Sequence, residues 1–103
     1  MSHYLFTYRV PRDYTAGTAD AVAAWDAWFT ELGAALVDRG NPVFTATTIG
    51  GPDTGTRLGG YSLVTADDLD AAAALAKGCP ILPVGGVVEI GELTILNARS
   101  GPA

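Results

Sequence analysis

The stretch KGCPILPVGGVVEIGEL (residues 77–93) decides the fold, because it joins a helical pattern to the last strand of the chain. Gly78 is placed to end the helix, and two prolines stiffen the segment that follows it. Gly85-Gly86 then turns the chain into VVEIGELTIL (87–96), the longest strand candidate. Apolar residues occupy both alternating sets of positions in this strand, so both of its faces are predicted to be covered.

Cys79, the only cysteine, lies in this stretch just after the predicted helix. The carbonyl groups at a helix C-terminus raise the pKa of a nearby thiol, and no histidine is close in sequence. We interpret Cys79 as a small buried apolar residue and keep a nucleophile as the less favoured alternative. A single cysteine cannot form an internal disulfide, which predicts a reducing, cytoplasmic location.

The remaining pattern alternates strands and helices in a recognisable order. HYLFTYRV has the two-residue period of a strand, and the apolar residues from Val22 to Leu36 follow a helical stripe. The predicted elements are strand 3–10, helix 20–39, strand 43–49, strand 61–65, a second helix capped by Thr65 or Asp67 and stopped by Gly78, and strand 87–96. This βαββαβ order predicts an α+β, ferredoxin-like fold, a four-stranded antiparallel sheet with two helices on one face.

The chain is predicted to be one domain over residues 1–103, with an ordered core of about 3–96 and a frayed tail. Two helices cover only one face of the sheet. The last strand nevertheless carries apolar residues on both faces, with Val87, Leu93 and Ile95 on one side. An exposed apolar sheet is a typical association surface, so a homodimer with two facing sheets is predicted.

Charge and composition argue against several classes of partner. The net charge is −5 and the six basic residues are scattered, which disfavours nucleic acid. No apolar run approaches the roughly 20 residues of a membrane span, and MSHYLFTYRV does not resemble a secretory signal. With one histidine and one cysteine and no clustered carboxylates around them, no metal site is predicted. The glycines of residues 50–60 do not show a strand–GxxxxGK–helix arrangement, so no phosphate-binding loop is predicted. We expect no cofactor.

Three polar residues are candidates for chemistry. His3 is the one side chain that ordinarily titrates near neutral pH, and Asp38 falls in the last turn predicted for the first helix, where a carboxylate opposes the helix dipole. Either is a candidate general base. Arg9 has the planar fork that binds a carboxylate or phenolate. A half-exposed terminal histidine, a solvated aspartate and a surface ion pair are the corresponding structural explanations.

Aromatic residues are candidates for binding a planar ligand. Trp25 and Trp28 are three residues apart on the first helix and cannot both face its centre line, so one of them is predicted to border a cleft. Tyr8 and Tyr61 lie on strands and are expected to line the same pocket. Core packing is the commoner explanation for all four. Glu89, on the same face as Val87, is a further carboxylate candidate if that face is buried.

Four segments together resemble the YCII-related domain family, also called DGPF: YLFTYRV, AAWDAWFTELGAALVDRGNPV, LGGYSLV and DLDAAAALAKGCPILPVGGVVEI. The resemblance covers about residues 3–96 and implies a ferredoxin-like subunit of a dimeric α/β barrel. The loop GGPD (50–53) keeps the Gly-Pro of the family motif. Some members carry a dyad of a histidine in the first helix and an aspartate near its end. Asp38 matches the aspartate, whereas this helix contains no histidine.

The resemblance implies a small-molecule pocket. If the protein is an enzyme, we expect a cofactor-free lyase or isomerase that transfers protons on a small cyclic substrate. His3 or Asp38 would be the base, and Tyr8, Arg9, Trp28 and Tyr61 would hold the ligand. The alternative is a non-catalytic module that binds a metabolite or a protein, linked to sigma-factor regulation. Converging titratable groups would favour the enzyme, and an apolar cavity would favour the module.

Overall fold

The computed structural model describes residues 1–52, 54–94 and 96 of the chain. The elements in chain order are β1 Ser2–Pro11, α1 Ala19–Leu32, β2 Leu36–Asp38, β3 Thr56–Ala66, α2 Leu69–Ala76 and β4 Val87–Glu92, with 3₁₀ turns at Gly33–Ala35 and Leu82–Val84. The strands form one sheet in the order β2-β3-β1-β4, and each neighbouring pair is antiparallel. The predicted α+β, ferredoxin-like fold class is therefore confirmed.

The central strand β1 organises the core. Tyr4, Phe6, Tyr8 and Val10 alternate along it and are all buried, whereas the residues between them are half-buried or exposed. The buried set lies opposite Val64 and Ser62 of β3 and Ile90 and Val88 of β4, so one face of the sheet is continuous. The period-two pattern of HYLFTYRV thus has its expected physical cause, which is a strand with one face in the core.

The two helices cover this face with side chains of different size. α1 begins at the N-cap Thr18 and buries Trp28 and Leu32. α2 begins at the N-cap Asp68, rather than Thr65 or Asp67, and buries Ala72 and Ala76. Alanine adds little bulk, so α2 lies close to the strands, while Trp28 fills the wider space below α1.

The first helix is shorter than predicted, and the second strand lies elsewhere. α1 ends at Leu32 because Gly33 has φ of 55°, which breaks the helical hydrogen bonds. Leu36–Asp38 then forms β2 and pairs with Val64 and Leu63. The strand predicted at 43–49 is therefore wrong: this segment contacts β3 through Val43 N to Gly59 O and is otherwise exposed and irregular.

The boundaries of the other strands also differ from the predicted ones. β3 begins at Thr56, five residues earlier than the predicted 61, and a register shift opposite Tyr8 and Arg9 leaves Gly59 as an extra residue. β4 ends at Glu92 rather than 96. The tail predicted to fray, residues 97–103, lies outside the described residues, as does Ile95.

Cys79 is 2% exposed, which confirms its interpretation as a small buried residue. Burial raises the pKa of its thiol to about 11, and a hydrogen bond with the backbone of Ile81 only partly opposes this effect. The thiol is therefore neutral at physiological pH. Because nucleophilic attack requires the thiolate, this state disfavours a role as nucleophile.

Neither of the described helices, α1 and α2, lies against the second face of the sheet. Leu5, Thr7, Leu63 and Thr65 are half-buried there, and Glu89 on β4 is exposed. This surface, the open sheet face, is the one predicted to meet a second copy of the chain. Among the described helices, none is long and apolar enough to cross a membrane.

Candidate functional site

A cavity of about 250 Å³ lies between the N-terminal half of α1 and the sheet. Three segments complete its wall: the loop after β1, residues 39–44, and the start of β3 around Gly59 and Gly60. Six aromatic residues line it, and most of its surface is apolar. They are Tyr8, Tyr14, Trp25, Phe29, Phe44 and Tyr61.

Local sequence explains how the loop after β1 reaches the cavity. Pro11 ends the strand. The amide of Tyr14 donates a hydrogen bond of 2.9 Å to the carbonyl of Pro11, which closes a tight turn. The chain then passes Gly17 to Thr18, whose hydroxyl accepts a hydrogen bond from the Ala21 amide at 3.2 Å. This cap fixes the start of α1, so that Ala21 and Trp25, four residues apart, face the cavity on the same side of the helix.

An aromatic cluster forms the wall on the α1 side. The ring of Trp25 is edge-on to Tyr8 at 4.8 Å and to Trp28 at 5.7 Å, and Phe29 lies 5.7 Å from Trp25. Trp28 does not line the cavity. It is buried beneath the cluster, where its Nε1 donates to the carbonyl of Leu75 at 3.3 Å. Trp25 is thus the tryptophan that borders the cleft, as one of the pair was predicted to do.

One ion pair gives the cavity a polar end. Arg39 Nη2 lies 2.6 Å from Asp26 Oδ1, and the Arg39 guanidinium lies 4.7 Å from the centre of the Phe29 ring. Both charged side chains are more than half exposed, at 59% for Arg39 and 55% for Asp26. Asn41, also in the wall, donates from Nδ2 to the Tyr61 hydroxyl at 3.2 Å.

A chain of two hydrogen bonds through the buried Ser62 fixes the backbone of Arg39. The Tyr8 hydroxyl donates to Ser62 Oγ at 2.9 Å, and Ser62 Oγ donates to the Arg39 carbonyl at 2.6 Å. Burial raises the pKa of the Tyr8 hydroxyl far above its ordinary value, although the bond to Ser62 opposes part of this effect. Tyr8 therefore stays protonated and acts as a donor rather than as a base.

Of the predicted binding residues, Tyr8 and Tyr61 lie in the cavity wall. Trp28 supports the wall from behind. Arg9 lies elsewhere, in a second and more polar cavity of about 470 Å³ that also includes Arg12 and Arg57. Its Nε donates to Thr56 Oγ1 at 2.9 Å and its Nη2 to the Thr56 carbonyl at 3.2 Å. Of the four residues predicted to hold one ligand, Tyr8 and Tyr61 share the cavity wall, and Trp28 and Arg9 do not line it.

The two predicted bases, His3 and Asp38, do not line the cavity and lie on different strands, β1 and β2. His3 is exposed near the start of β1 on the open sheet face. Asp38 is exposed at the end of β2, and its Oδ1 accepts a hydrogen bond from the Gly40 amide at 2.8 Å. It is adjacent in sequence to Arg39 in the wall. Their catalytic roles remain predictions.

Sequence reasoning did not select Asp26 and Arg39. Their pairing depends on the early end of α1, since a helix continued to 39 would place them on one rigid rod, thirteen residues apart. The signal available was Gly33 itself, a residue that favours helix ends. Phe29 was read as part of the apolar stripe, and its exposure to the cavity could not be inferred from periodicity. Within the described part of the chain, no group of acidic, histidine or cysteine residues could hold a metal ion.

Comparison with known proteins gives one informative match. No protein-family model matches the chain, and no curated protein sequence matches it. Among solved structures, the chain is similar to the 5-chloro-2-hydroxyhydroquinone dehydrochlorinase TftG from Burkholderia phenoliruptrix AC1100, in complex with 2,5-dihydroxybenzoquinone. The two are 19% identical, the match covers 89% of this chain and 93% of that chain, and the TM-score is 0.65. At this identity the likeness shows a shared fold.

Proposed function

We propose that this protein binds a planar, single-ring molecule bearing oxygen substituents in the cavity beside α1. The observation that carries this proposal is the composition of the wall: six aromatic residues around a space of about 250 Å³, with one ion pair at its end. Aromatic and apolar walls with a few placed polar groups are typical of sites for small organic molecules.

The size of the cavity supports one ring rather than a larger ligand. An apolar cavity of roughly 150 Å³ in a protein core admits benzene, and drug-sized ligands occupy about 300–1,000 Å³. The cavity here falls between these values. A ring with a few substituents matches it, and a dinucleotide does not.

The shared fold supports the same class of ligand. TftG was solved with 2,5-dihydroxybenzoquinone, a single oxygenated ring. The sequence resemblance to the YCII-related family supports the same class of ligand, and we include membership of that family in the proposal. Both lines of support point to a small cyclic molecule.

The ionisable groups in the described part of the wall favour a binding protein over an enzyme, because none of them is an evident general base. They are the Asp26–Arg39 pair and tyrosines, and the pKa of Tyr8 is raised rather than poised near neutrality. A cofactor-free lyase or isomerase is the second candidate, favoured by the likeness to a dehydrochlorinase. In that case Asp26 is a carboxylate of the cavity wall, while His3 and Asp38 remain the bases predicted from sequence.

The binding proposal is tested by filling the cavity. Ala21→Phe places a ring inside it, and Ala23→Phe, on the same helix but outside the wall, is the matched control. In a calorimetric titration with catechol, we expect Ala21→Phe to weaken binding at least ~10-fold and Ala23→Phe to leave it within about twofold. Equal affinities of the two variants would place the ligand outside this cavity.

We further propose that the open sheet face joins two copies of the chain as a homodimer. Leu5 and Leu63 face each other across β1 and β3 there, and a charge placed between two apolar faces would be buried without a partner. Leu63→Glu should therefore convert a dimer to a monomer in sedimentation velocity. Leu69→Glu, at an exposed position on α2, should remain dimeric. A wild-type chain that sediments as a monomer at micromolar concentration would contradict the proposal.

A further inference from the structure

We propose that the Asp26–Arg39 pair selects a neutral ring that carries a hydroxyl group directly beside an acceptor oxygen, and disfavours a ring that carries a carboxylate. This inference rests on the proposed function, because it assigns the ligand class of the same cavity. It follows from the geometry and the charge of the pair.

The pair offers a hydrogen-bond acceptor and a donor side by side. It joins Oδ1 of Asp26 to Nη2 of Arg39 at 2.6 Å. A carboxylate has two oxygens and a guanidinium has five N–H groups, so one contact leaves acceptor and donor capacity on the two partners. A ligand that donates from one oxygen and accepts at the next would complement both at once.

Two contacts also position Arg39 before a ligand arrives. The Arg39 backbone is tied to Ser62, and its guanidinium lies over the Phe29 ring at 4.7 Å. Phe29 and Asp26 are three residues apart on α1, so they present one face of the helix to Arg39. Such preorganisation favours a ligand whose two oxygens have a fixed spacing, as on adjacent ring carbons.

The charge balance argues against an anionic ligand. Within the pair, the Arg39 charge is offset by Asp26, so this end of the cavity carries no net charge. The whole chain has a net charge of −5, which repels anions further. A carboxylate at this end would face the Asp26 carboxylate at close range, whereas a neutral hydroxyl would donate to it.

The test compares three single-ring probes by NMR titration at neutral pH: catechol, with adjacent hydroxyls, resorcinol, with the same hydroxyls one carbon further apart, and benzoate. For the wild-type chain we expect catechol to bind about 5- to 10-fold more tightly than resorcinol, and benzoate to bind most weakly. The three probes share one ring size, so the order reports the polar contacts rather than the fit of the ring.

Two substitutions distinguish the contribution of the Asp26–Arg39 pair to ligand affinity from the effect of removing any negative charge from α1. Asp26→Asn should weaken the binding of catechol and strengthen the binding of benzoate, because Arg39 is left with an uncompensated charge. The order of the two affinities should therefore reverse. Glu31→Gln is the matched control: it removes the same charge from an exposed position of α1 outside the wall and should keep the wild-type order. Backbone spectra of both variants verify that each is folded.

The outcomes distinguish the two levels of the proposal. If none of the three rings perturbs residues of the cavity wall, the proposed function itself fails. If rings bind but catechol and resorcinol have equal affinity, or Asp26→Asn leaves the order of catechol and benzoate unchanged, the ring-binding proposal stands and the selection by Asp26–Arg39 is overturned.

Discussion

Replacing Trp28 with alanine is expected to lower the free energy of unfolding by about 3–5 kcal/mol, the range for removing a large aromatic side chain from a core. Trp28 is 3% exposed and contacts the rings of Phe6, Tyr8, Trp25 and Phe29 at centroid distances of 5.4–6.4 Å. Its loss would leave a void beneath the cavity wall, and the Leu75 carbonyl would lose its donor.

The measurement is urea unfolding followed by circular dichroism, which does not depend on the removed fluorophore. Val22→Ala is the control on the same helix, because Val22 is half exposed and its truncation should cost below ~1 kcal/mol. A loss of less than about 1 kcal/mol for Trp28→Ala would mean that this side chain is not the centre of the core. A domain of this size is stable by only about 5–15 kcal/mol, so partial unfolding of the variant is within the expected result.

The second large effect is expected at Gly40, between Arg39 and Asn41 in the cavity wall. Gly40 has φ of 72°, and a Cβ there would lie 1.8 Å from the Tyr61 carbonyl oxygen. Gly40→Ala therefore adds a backbone clash to the cost of the left-handed conformation. We expect a loss of at least ~3 kcal/mol, together with displacement of Arg39.

Gly17→Ala provides a matched control within the same wall. Gly17 has φ of 81°, yet no atom lies within 4 Å of the position its Cβ would occupy. This variant should show only the conformational cost of about 1–2 kcal/mol. Thermal and urea unfolding of the two variants measure the difference. If both lose the same stability, the close approach of residue 40 to β3 is not present in solution.

Much of the fold was predictable because its signals are local. The two-residue period of HYLFTYRV identified β1, and the transition at Gly78 correctly separated α2 from β4. Gly78 also has a tertiary role that no local rule reveals: a Cβ there would lie 3.1 Å from the Trp28 ring. The glycine next to Cys79 therefore serves the packing of α1 as well as the end of α2.

The error at the second strand has a specific cause. VFTATTI has high β-propensity, but propensity in strands depends on packing against neighbours. Because Gly33 ends α1 early, Leu36 pairs with β3 and is partly buried there. Leu36–Asp38 therefore forms the edge strand of the sheet in place of residues 43–49. Leu36 also fits the helical stripe, so periodicity alone could not choose between the two structures.

The site was predictable in kind but not in detail. Tyr8 and Tyr61 both line the cavity, and their predicted role in holding a ligand stays a prediction. The separation of Arg9 from Tyr8 follows from strand alternation, which places neighbouring residues on opposite faces, so grouping them in one pocket conflicted with the period of β1 itself. The Asp26–Arg39 contact depends on where α1 ends, which is the least reliable feature of a sequence pattern.

The two tryptophans allow the most direct test of the proposal that the cavity beside α1 binds a single ring. Trp25 lines the cavity, whereas Trp28 is buried behind it with its indole N–H bonded to Leu75. In ¹H–¹⁵N spectra recorded during titration with catechol, we expect a saturable shift of the Trp25 indole signal and a much smaller change at Trp28. A titration in which neither indole signal moves, while signals elsewhere on the surface do, would contradict it.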